Sequence, residues 1–133
     1  MIVYVEDNID ELDLLKSAMN KRSFEIRHFQ NGTEALSYIK TAHDVELIIT
    51  DLNMPILNGL DLIQQIREGS VNNLAPIIVL SSSDEKSDID EAYSKGANAY
   101  LIKPIDYQKF KSIIQTTVNF WIDTNAIASF SIH

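Results

Sequence analysis

Five short apolar runs alternate regularly with helix-like segments along this chain. The runs lie at residues 2–5, 24–29, 46–50, 77–80 and 99–102, and each is followed by a segment with apolar residues at helical spacing. Strict alternation of strands and helices predicts a parallel sheet covered on both faces, because parallel neighbours must be joined by a crossover. The second run mixes apolar and charged residues, which favours an edge position for that strand.

Right-handed crossovers between five such strands predict an α/β fold, a doubly wound five-stranded parallel sheet. The order 2-1-3-4-5 places the first and third strands side by side at a topological switch point, where ligands bind outside the carboxyl ends of the strands. Glu6 and Asp7 follow the first strand, and Asp51 follows the third. We therefore expect these three carboxylates to converge in one crevice.

Capping residues predict where the helices begin and end. Candidate N-caps are Asn8 paired with Glu11, Asn31 paired with Glu34, Asn58 and Asp106, and candidate C-terminal glycines are Gly69 and Gly96. The fourth helix is predicted to begin at Asp84 with Tyr93 on its buried face. Apolar spacing predicts that the fifth helix continues through Trp121 and Ile122.

The composition limits the function classes open to the chain. Its 133 residues fit one domain, and 19 acidic against 11 basic residues give a formal charge of -8, which argues against a nucleic-acid or anionic-membrane surface. The absence of cysteine excludes disulfides, thiol catalysis and thiolate metal sites. Without a basic leader or a long apolar segment, the sequence predicts a soluble, cytoplasmic protein.

A crevice with three carboxylates needs raised pKa values or cations to relieve their repulsion. Oxygen ligands of this kind suit Mg²⁺, which commonly shares its coordination sphere with a phosphate. Lys103 at the tip of the fifth strand would bring a positive charge to the same edge, and Ser81 at the tip of the fourth would bring a hydroxyl donor. Together these groups predict a site that binds a phosphoryl group.

Motifs at four successive strand tips carry a family resemblance. Val-Glu-Asp-Asn lies at 5–8, Asp-Leu-Asn-Met-Pro at 51–55, Val-Leu-Ser-Ser at 79–82 and Gly-Ala-Asn-Ala-Tyr-Leu-Ile-Lys-Pro at 96–104. In this order and spacing they resemble the CheY-like receiver domain of two-component response regulators, over essentially the whole chain. The resemblance implies that Asp51 accepts a phosphoryl group from a phosphohistidine on a sensor histidine kinase.

The same resemblance assigns the metal ligands. Asp7, Asp51 and the backbone carbonyl of Asn53 would hold Mg²⁺, and Glu6 would act through a water molecule. Glu6 stands where the family more often has Asp, but its longer side chain still reaches a water bound to the metal.

The resemblance also implies a switch. Lys103 would pair with the carboxylate or with a phosphoryl oxygen, and the Lys103–Pro104 peptide bond would be cis. Ser81 would hydrogen-bond the phosphoryl group, and Tyr100 would turn toward the space that Ser81 vacates. The face formed by the fourth helix, fifth strand and fifth helix would then change shape.

As a stand-alone receiver, the chain would consist of a receiver domain at 1–122 and a short tail at 123–133. It would catalyse its own phosphorylation and dephosphorylation without turning over a metabolite. A downstream protein target or a histidine phosphotransfer protein would receive the signal, and a homodimer through the C-terminal face is also expected.

Phe120 and Trp121 resemble the ending of single-domain receivers that pair with phytochrome-type kinases. The apolar tail residues Ile127, Phe130 and Ile132 predict a partner-binding surface.

Three other functions share part of this pattern. A phosphatase of the haloacid dehalogenase type would need a second acid where Asn53 stands, and its nucleophile follows the first strand. A flavodoxin-like electron carrier would need a phosphate cradle rich in Ser, Thr or Gly where Glu6 and Asp7 stand. A pseudo-receiver would lack Asp51, Asp7 or Lys103, and all three are present.

Two of the candidate residues also have plain structural interpretations. A serine after a strand often serves turn geometry, as Ser81 would. Tyr100 could be an ordinary half-buried aromatic of the fifth strand.

Overall fold

A computed structural model describes residues 1–18 and 25–124 of the chain. Its centre is a five-stranded parallel sheet with the order 2-1-3-4-5, so the predicted fold class is confirmed. The strands are β1 (Ile2–Val5), β2 (Ile26–Phe29), β3 (Leu47–Thr50), β4 (Ile77–Ser81) and β5 (Ala99–Ile102). Strand β2 lies at an edge, as its mixed composition predicted. Phe24, placed in that strand from the sequence, lies outside the described residues.

A helix follows each strand, and four of the five helices begin directly after a predicted N-cap, which is Asn8, Asn31, Asn58 or Asp106. They are α1 (Ile9–Ala18), α2 (Gly32–Ile39), α3 (Gly59–Glu68), α4 (Lys86–Lys95) and α5 (Tyr107–Val118). The side chains of Asn31, Asn58 and Asp106 each accept a hydrogen bond from the backbone N–H three residues further on, at 2.9, 2.9 and 3.1 Å. In the described part of the chain, none of these helices combines the length and apolar character needed to cross a membrane.

Two helix predictions need correction. Helix α4 begins at Lys86 rather than Asp84, and Tyr93 is 49% exposed. Ala92 is the one buried residue of this helix, so only a narrow face of α4 packs against the sheet. Tyr93 lies about 100° further around the helix axis and therefore faces solvent. Helix α5 ends at Val118, and the chain continues directly into a π-helical segment, Asn119–Thr124. Trp121 and Ile122 lie in that segment and pack against the same core as α5.

The sheet separates two apolar cores. Because side chains alternate along each strand, Val3 and Val5 enter the core beneath α2, α3 and α4, whereas Ile2 and Tyr4 enter the core beneath α1 and α5. Strands β1, β3 and β4 are fully buried, as a sheet covered on both faces requires. Met19, whose spacing from Leu12 and Leu15 predicts a place on the apolar stripe of α1, lies outside the described residues.

Arg67, near the end of α3, joins several loops at the amino ends of β4 and β5. Its guanidinium donates to the carbonyl oxygens of Gly96 at 2.9 Å, Asn73 at 3.0 Å and Ala75 at 2.7 Å. It also donates to the side-chain oxygen of Asn98 at 2.7 Å. Burial disfavours the charged form and lowers the pKa of Arg67. The four hydrogen bonds offset the cost of burying the guanidinium group. The C-terminal ends of α3 and α4 are thereby fixed together.

Candidate functional site

The carboxyl ends of β1 and β3 are adjacent, which brings two acidic side chains together. Val5 pairs with Thr50 in the sheet, and the Asp51 N–H donates to the Val5 carbonyl oxygen at 3.1 Å. Glu6 and Asp51 therefore leave neighbouring strand tips at the same level. Glu6 is only 2% exposed, whereas the side chain of Asp7 is exposed beside the crevice.

Lys103 occupies the centre of this crevice. Its Nζ lies 2.9 Å from Glu6 Oε2, 3.5 Å from Asp51 Oδ2 and 3.0 Å from the Glu11 carboxylate. Pairing of β5 with β4 delivers the lysine, since the Lys103 N–H donates to the Ser81 carbonyl oxygen at 2.8 Å. The structure thus brings Glu6, Asp51 and Lys103 together, as predicted.

The prediction of a cis peptide bond between Lys103 and Pro104 is wrong, because this bond is trans. Lys103 reaches its carboxylate partners from the trans form. Trans is also the more stable form of an X–Pro bond by roughly 0.5–1 kcal/mol.

Glu11 is a site residue that the sequence analysis missed. It was assigned to a capping pair with Asn8, but Asn8 Oδ1 instead accepts from the Asp10 N–H at 3.0 Å, and the Asn8 N–H donates to Glu6 Oε1 at 3.1 Å. Glu11 is left to face Lys103. A usable signal was present, because the first turn of the helix after β1 starts at the same sheet edge as the predicted crevice.

Asp51 is held in one orientation by contacts on both carboxylate oxygens. Its Oδ1 accepts from the Leu52 N–H at 2.7 Å, and its Oδ2 faces Lys103. The side chain is 12% exposed, so it remains accessible from solvent. Asn53 lies two residues further in the same loop with an exposed side chain. A fixed, accessible carboxylate beside an ammonium group suits nucleophilic attack on a phosphorus atom.

Ser81 and Tyr100 belong to one chain of hydrogen bonds. Ser81 is fully buried at the end of β4, and its Oγ accepts from the Ser83 N–H at 3.1 Å. The Tyr100 hydroxyl donates to the Ser83 carbonyl oxygen at 2.8 Å, and Ser83 Oγ donates to Asp88 Oδ2 at 2.5 Å. Because Asp88 lies in the first turn of α4, this chain connects the edge of the crevice to that helix.

Burial and like charges shift the pKa values in the crevice. Burial raises the pKa of Glu6 to about 8, and the Asp7 side chain and the charge of Asp51 add to the effect, while Lys103 opposes it. Burial alone lowers the pKa of Lys103, but its hydrogen bonds to Glu6 and Glu11 and the charge of Asp51 outweigh this, so the pKa is raised above its usual value. The crevice therefore holds more negative charge than its one lysine balances.

Stability without metal is expected to fall between about pH 4.5 and pH 8, because the pKa of Glu6 is about 8 in the folded chain against an ordinary value of 4.5. Over that range the folded chain retains a proton that the unfolded chain loses, which costs up to about 1.4 kcal/mol per pH unit. Thermal unfolding in EDTA, followed against pH, should show this slope in the wild type and not in Glu6→Gln. Parallel pH profiles for the two proteins would contradict the raised pKa.

The donor set is compatible with a magnesium ion. Within the described residues, no three acidic or histidine side chains are grouped closely enough to form a preformed metal cluster. Mg²⁺ does not require one, because it usually takes one or two carboxylates and retains several waters. A single ammonium group faces the carboxylates of Glu6, Glu11 and Asp51. Asp7 interacts with Glu6 beside them. The excess negative charge and the hard oxygen atoms of this set favour a second cation.

Comparison with known proteins identifies the family. Residues 2–115 match the model of the response regulator receiver domain. Chemotaxis protein CheY1 of Helicobacter pylori is 28% identical over 118 residues, which cover 88% of this chain and 95% of that protein. The phosphorylated cyanobacterial phytochrome response regulator RcpA is 27% identical with a TM-score of 0.91, over 96% of this chain and 97% of that chain.

The chain belongs to the response regulator receiver family, as the four motifs predicted. The function of this family is phosphoryl-transfer signalling in two-component systems. Membership of this family argues against the phosphatase and the flavodoxin-like electron carrier considered from the sequence. The receiver domain of the sensor histidine kinase PA1611 from Pseudomonas aeruginosa PAO1 shares the fold, with 23% identity and a TM-score of 0.72 over 86% of this chain and 93% of that chain. That domain was solved with a magnesium ion coordinated in its active site cleft.

Proposed function

We propose that this chain is a phosphorylation-dependent switch in which Asp51 accepts a phosphoryl group from the phosphohistidine of a sensor histidine kinase. The observation that carries the proposal is the Asp51 carboxylate, fixed by the Leu52 N–H at 2.7 Å and facing the Lys103 ammonium at 3.5 Å. In the transfer, an Asp51 oxygen forms a bond to phosphorus while the phosphorus–nitrogen bond of phosphohistidine breaks. The histidine nitrogen keeps the electron pair of that bond.

The protein contributes mainly positioning and charge stabilisation to this step. Lys103 would donate to a phosphoryl oxygen as the phosphoryl group brings its negative charge to the Asp51 side chain. Asp7, Asp51 and the Asn53 carbonyl would hold Mg²⁺, with Glu6 acting through water. The bound metal ion would neutralise charge on the phosphoryl oxygens.

The switch would operate through the hydrogen-bond chain that starts at Ser81. When the Ser81 hydroxyl turns to a phosphoryl oxygen, the Ser83 N–H loses the acceptor that it has at 3.1 Å. Ser83 also accepts from Tyr100 and donates to Asp88, so movement of this loop would reach β5 and α4 together. Phosphorylation would shift a population that already contains both arrangements.

The partners implied by this function are a sensor histidine kinase upstream and a protein target or histidine phosphotransfer protein downstream. We place the switch in the cytoplasm, with its receiver domain at 1–122 and the segment 123–133 outside that domain, and without direct binding to nucleic acid or membrane. Phe120 is 47% exposed and stacks edge-on against Trp121, with ring centroids 5.1 Å apart, which supports a homodimer contact at the C-terminal face. The tail residues Ile127, Phe130 and Ile132 lie outside the described residues.

Intact-protein mass after incubation with acetyl phosphate tests the phosphorylation chemistry. The expected result is one added phosphoryl group in the presence of Mg²⁺ and none in EDTA. If no group is added although Mg²⁺ binding is demonstrated separately, the chain is a pseudo-receiver and the proposal fails.

Lys103→Ala is expected to leave labelling by acetyl phosphate possible but to uncouple the switch. Without its ammonium group, no cation of the protein links the phosphoryl oxygen to β5, while Asp51 remains a nucleophile. Amide chemical shifts in α4 and β5, recorded before and after phosphorylation, should change in the wild type and in the control Lys109→Ala, which alters an exposed lysine of α5. Full chemical-shift changes in phosphorylated Lys103→Ala would refute this role.

A further inference from the structure

Lys103 has a carboxylate partner that does not come from a strand tip. Glu11 lies in the first turn of α1, and its carboxylate accepts from Lys103 Nζ at 3.0 Å. This contact is within 0.1 Å of the one to Glu6 at 2.9 Å and is shorter than the one to Asp51 at 3.5 Å. In the unphosphorylated chain, the lysine is thus bound more closely by two glutamates than by Asp51.

Phosphorylation would change this order of partners. A phosphoryl group carries about -1.5 to -2 charges at neutral pH, and charge-assisted N–H···O bonds are roughly 2.7–2.9 Å long. Lys103 Nζ stands 3.5 Å from Asp51 Oδ2, so a phosphoryl group on that side chain would bring new and more strongly charged acceptors within reach of the lysine. Its three N–H donors are then redistributed among the phosphoryl group and the two glutamates.

Glu11 is the partner that the lysine can leave at lower free-energy cost. Glu6 is 2% exposed and also accepts from the Asn8 N–H at 3.1 Å, so its position is fixed by a second contact. The Glu11 side chain is 16% exposed, and a glutamate at this position can be solvated once the ammonium group has left. The Glu11 charge also opposes the approach of a phosphoryl group to the crevice.

We propose that Glu11 is a positioning residue that holds Lys103 in the unphosphorylated state and competes with the phosphoryl group for it. Glu11 thereby sets the balance between the unphosphorylated and phosphorylated forms. This inference rests on the proposed function, in which Asp51 is the phosphoryl acceptor.

Binding of beryllofluoride, a phosphoryl mimic, tests this role at saturating Mg²⁺ by calorimetric titration. Glu11→Gln keeps the size of the side chain and removes its charge. We expect it to bind beryllofluoride about three- to tenfold more tightly than the wild type, the range for losing one partly screened charge-assisted contact. Labelling by acetyl phosphate should accelerate by a similar factor. A supporting structural role for Glu11 would instead weaken binding and slow labelling.

Asp10→Asn is the matched control, because it removes one negative charge from the same turn of α1. Asp10 is exposed, and the ion pairs of Lys103 within the described residues are with Glu6, Glu11 and Asp51. The control should change affinity less than twofold by screened long-range charge alone. Equal effects of Glu11→Gln and Asp10→Asn, or weaker binding by Glu11→Gln, would overturn the inference while leaving the proposed function intact. Failure of the wild type to bind beryllofluoride, with Asp51→Asn behaving identically, would instead overturn the proposed function and the inference with it.

Discussion

Replacing Asp51 by Asn is expected to abolish phosphoryl labelling completely. A carboxamide is a poor nucleophile and cannot form an acyl phosphate, whereas its size matches that of the carboxylate. The amide oxygen can still accept from the Leu52 N–H, which lies at 2.7 Å from Oδ1 in the wild type, so the loop should keep its conformation. Intact-protein mass after incubation with acetyl phosphate and Mg²⁺ measures the loss directly.

Asp61→Asn provides the control for Asp51→Asn. Asp61 lies in the first turn of α3, a few residues beyond the loop, and the substitution makes the same chemical change at an acidic residue of that turn. The control should be labelled as fully as the wild type. A phosphoryl group found on the Asp51→Asn protein would show that another carboxylate, such as Asp7, is the acceptor.

Gly59→Ala is expected to destabilise the fold by about 3 kcal/mol, the scale at which overpacking distorts a well-packed interior. Gly59 opens α3 against the loop that follows β3, and its N–H donates to the Leu52 carbonyl oxygen at 2.8 Å. An added Cβ would overlap the Asp51 carbonyl oxygen and lie 2.7 Å from the Leu52 Cα. These are backbone atoms, so the loop that carries Asp51 must itself move.

Urea unfolding of Gly59→Ala against Gly69→Ala measures this effect. Gly69 ends the same helix, and a Cβ there would meet its nearest atoms at 3.4 and 3.5 Å, which is ordinary contact. Its φ of -78° also suits alanine, so Gly69→Ala should change the free energy of unfolding by less than about 0.5 kcal/mol. Similar unfolding midpoints for the two variants would show that the Gly59 contact is not a steric constraint.

Much of the fold could be predicted because its signals are local. The apolar runs marked every strand, and Asn31, Asn58 and Asp106 marked helix starts through their own side-chain hydrogen bonds. Alternation and crossover handedness indicated a doubly wound sheet, and the order 2-1-3-4-5 is a common strand order of that class. Tyr93 was misplaced because apolar spacing does not reveal how wide a stripe the sheet covers, and α4 buries only one residue.

A site residue could be predicted where it lies at the end of a strand. It could not be predicted where its side chain can contact more than one partner. Glu6, Asp51 and Lys103 meet because parallel strands bring their carboxyl ends to one edge. Glu11 satisfied a capping pattern in the sequence, but the lysine is 92 residues away along the chain, and only the folded structure brings the two together. The ligand roles of Asp7 and Asn53 and the switch roles of Ser81 and Tyr100 stay predictions.

The two ends of α4 are held by different parts of the molecule. The Arg67 guanidinium fastens the helix at Gly96, and the opposite end is held to its loop by the Ser83 hydroxyl on Asp88. Helix α4 is ten residues long, so its two ends are about 15 Å apart. A displacement of the Ser83 loop would therefore move the N-terminal end of α4 more than its C-terminal end. We expect a partner that distinguishes the two states to contact the helix near Lys86.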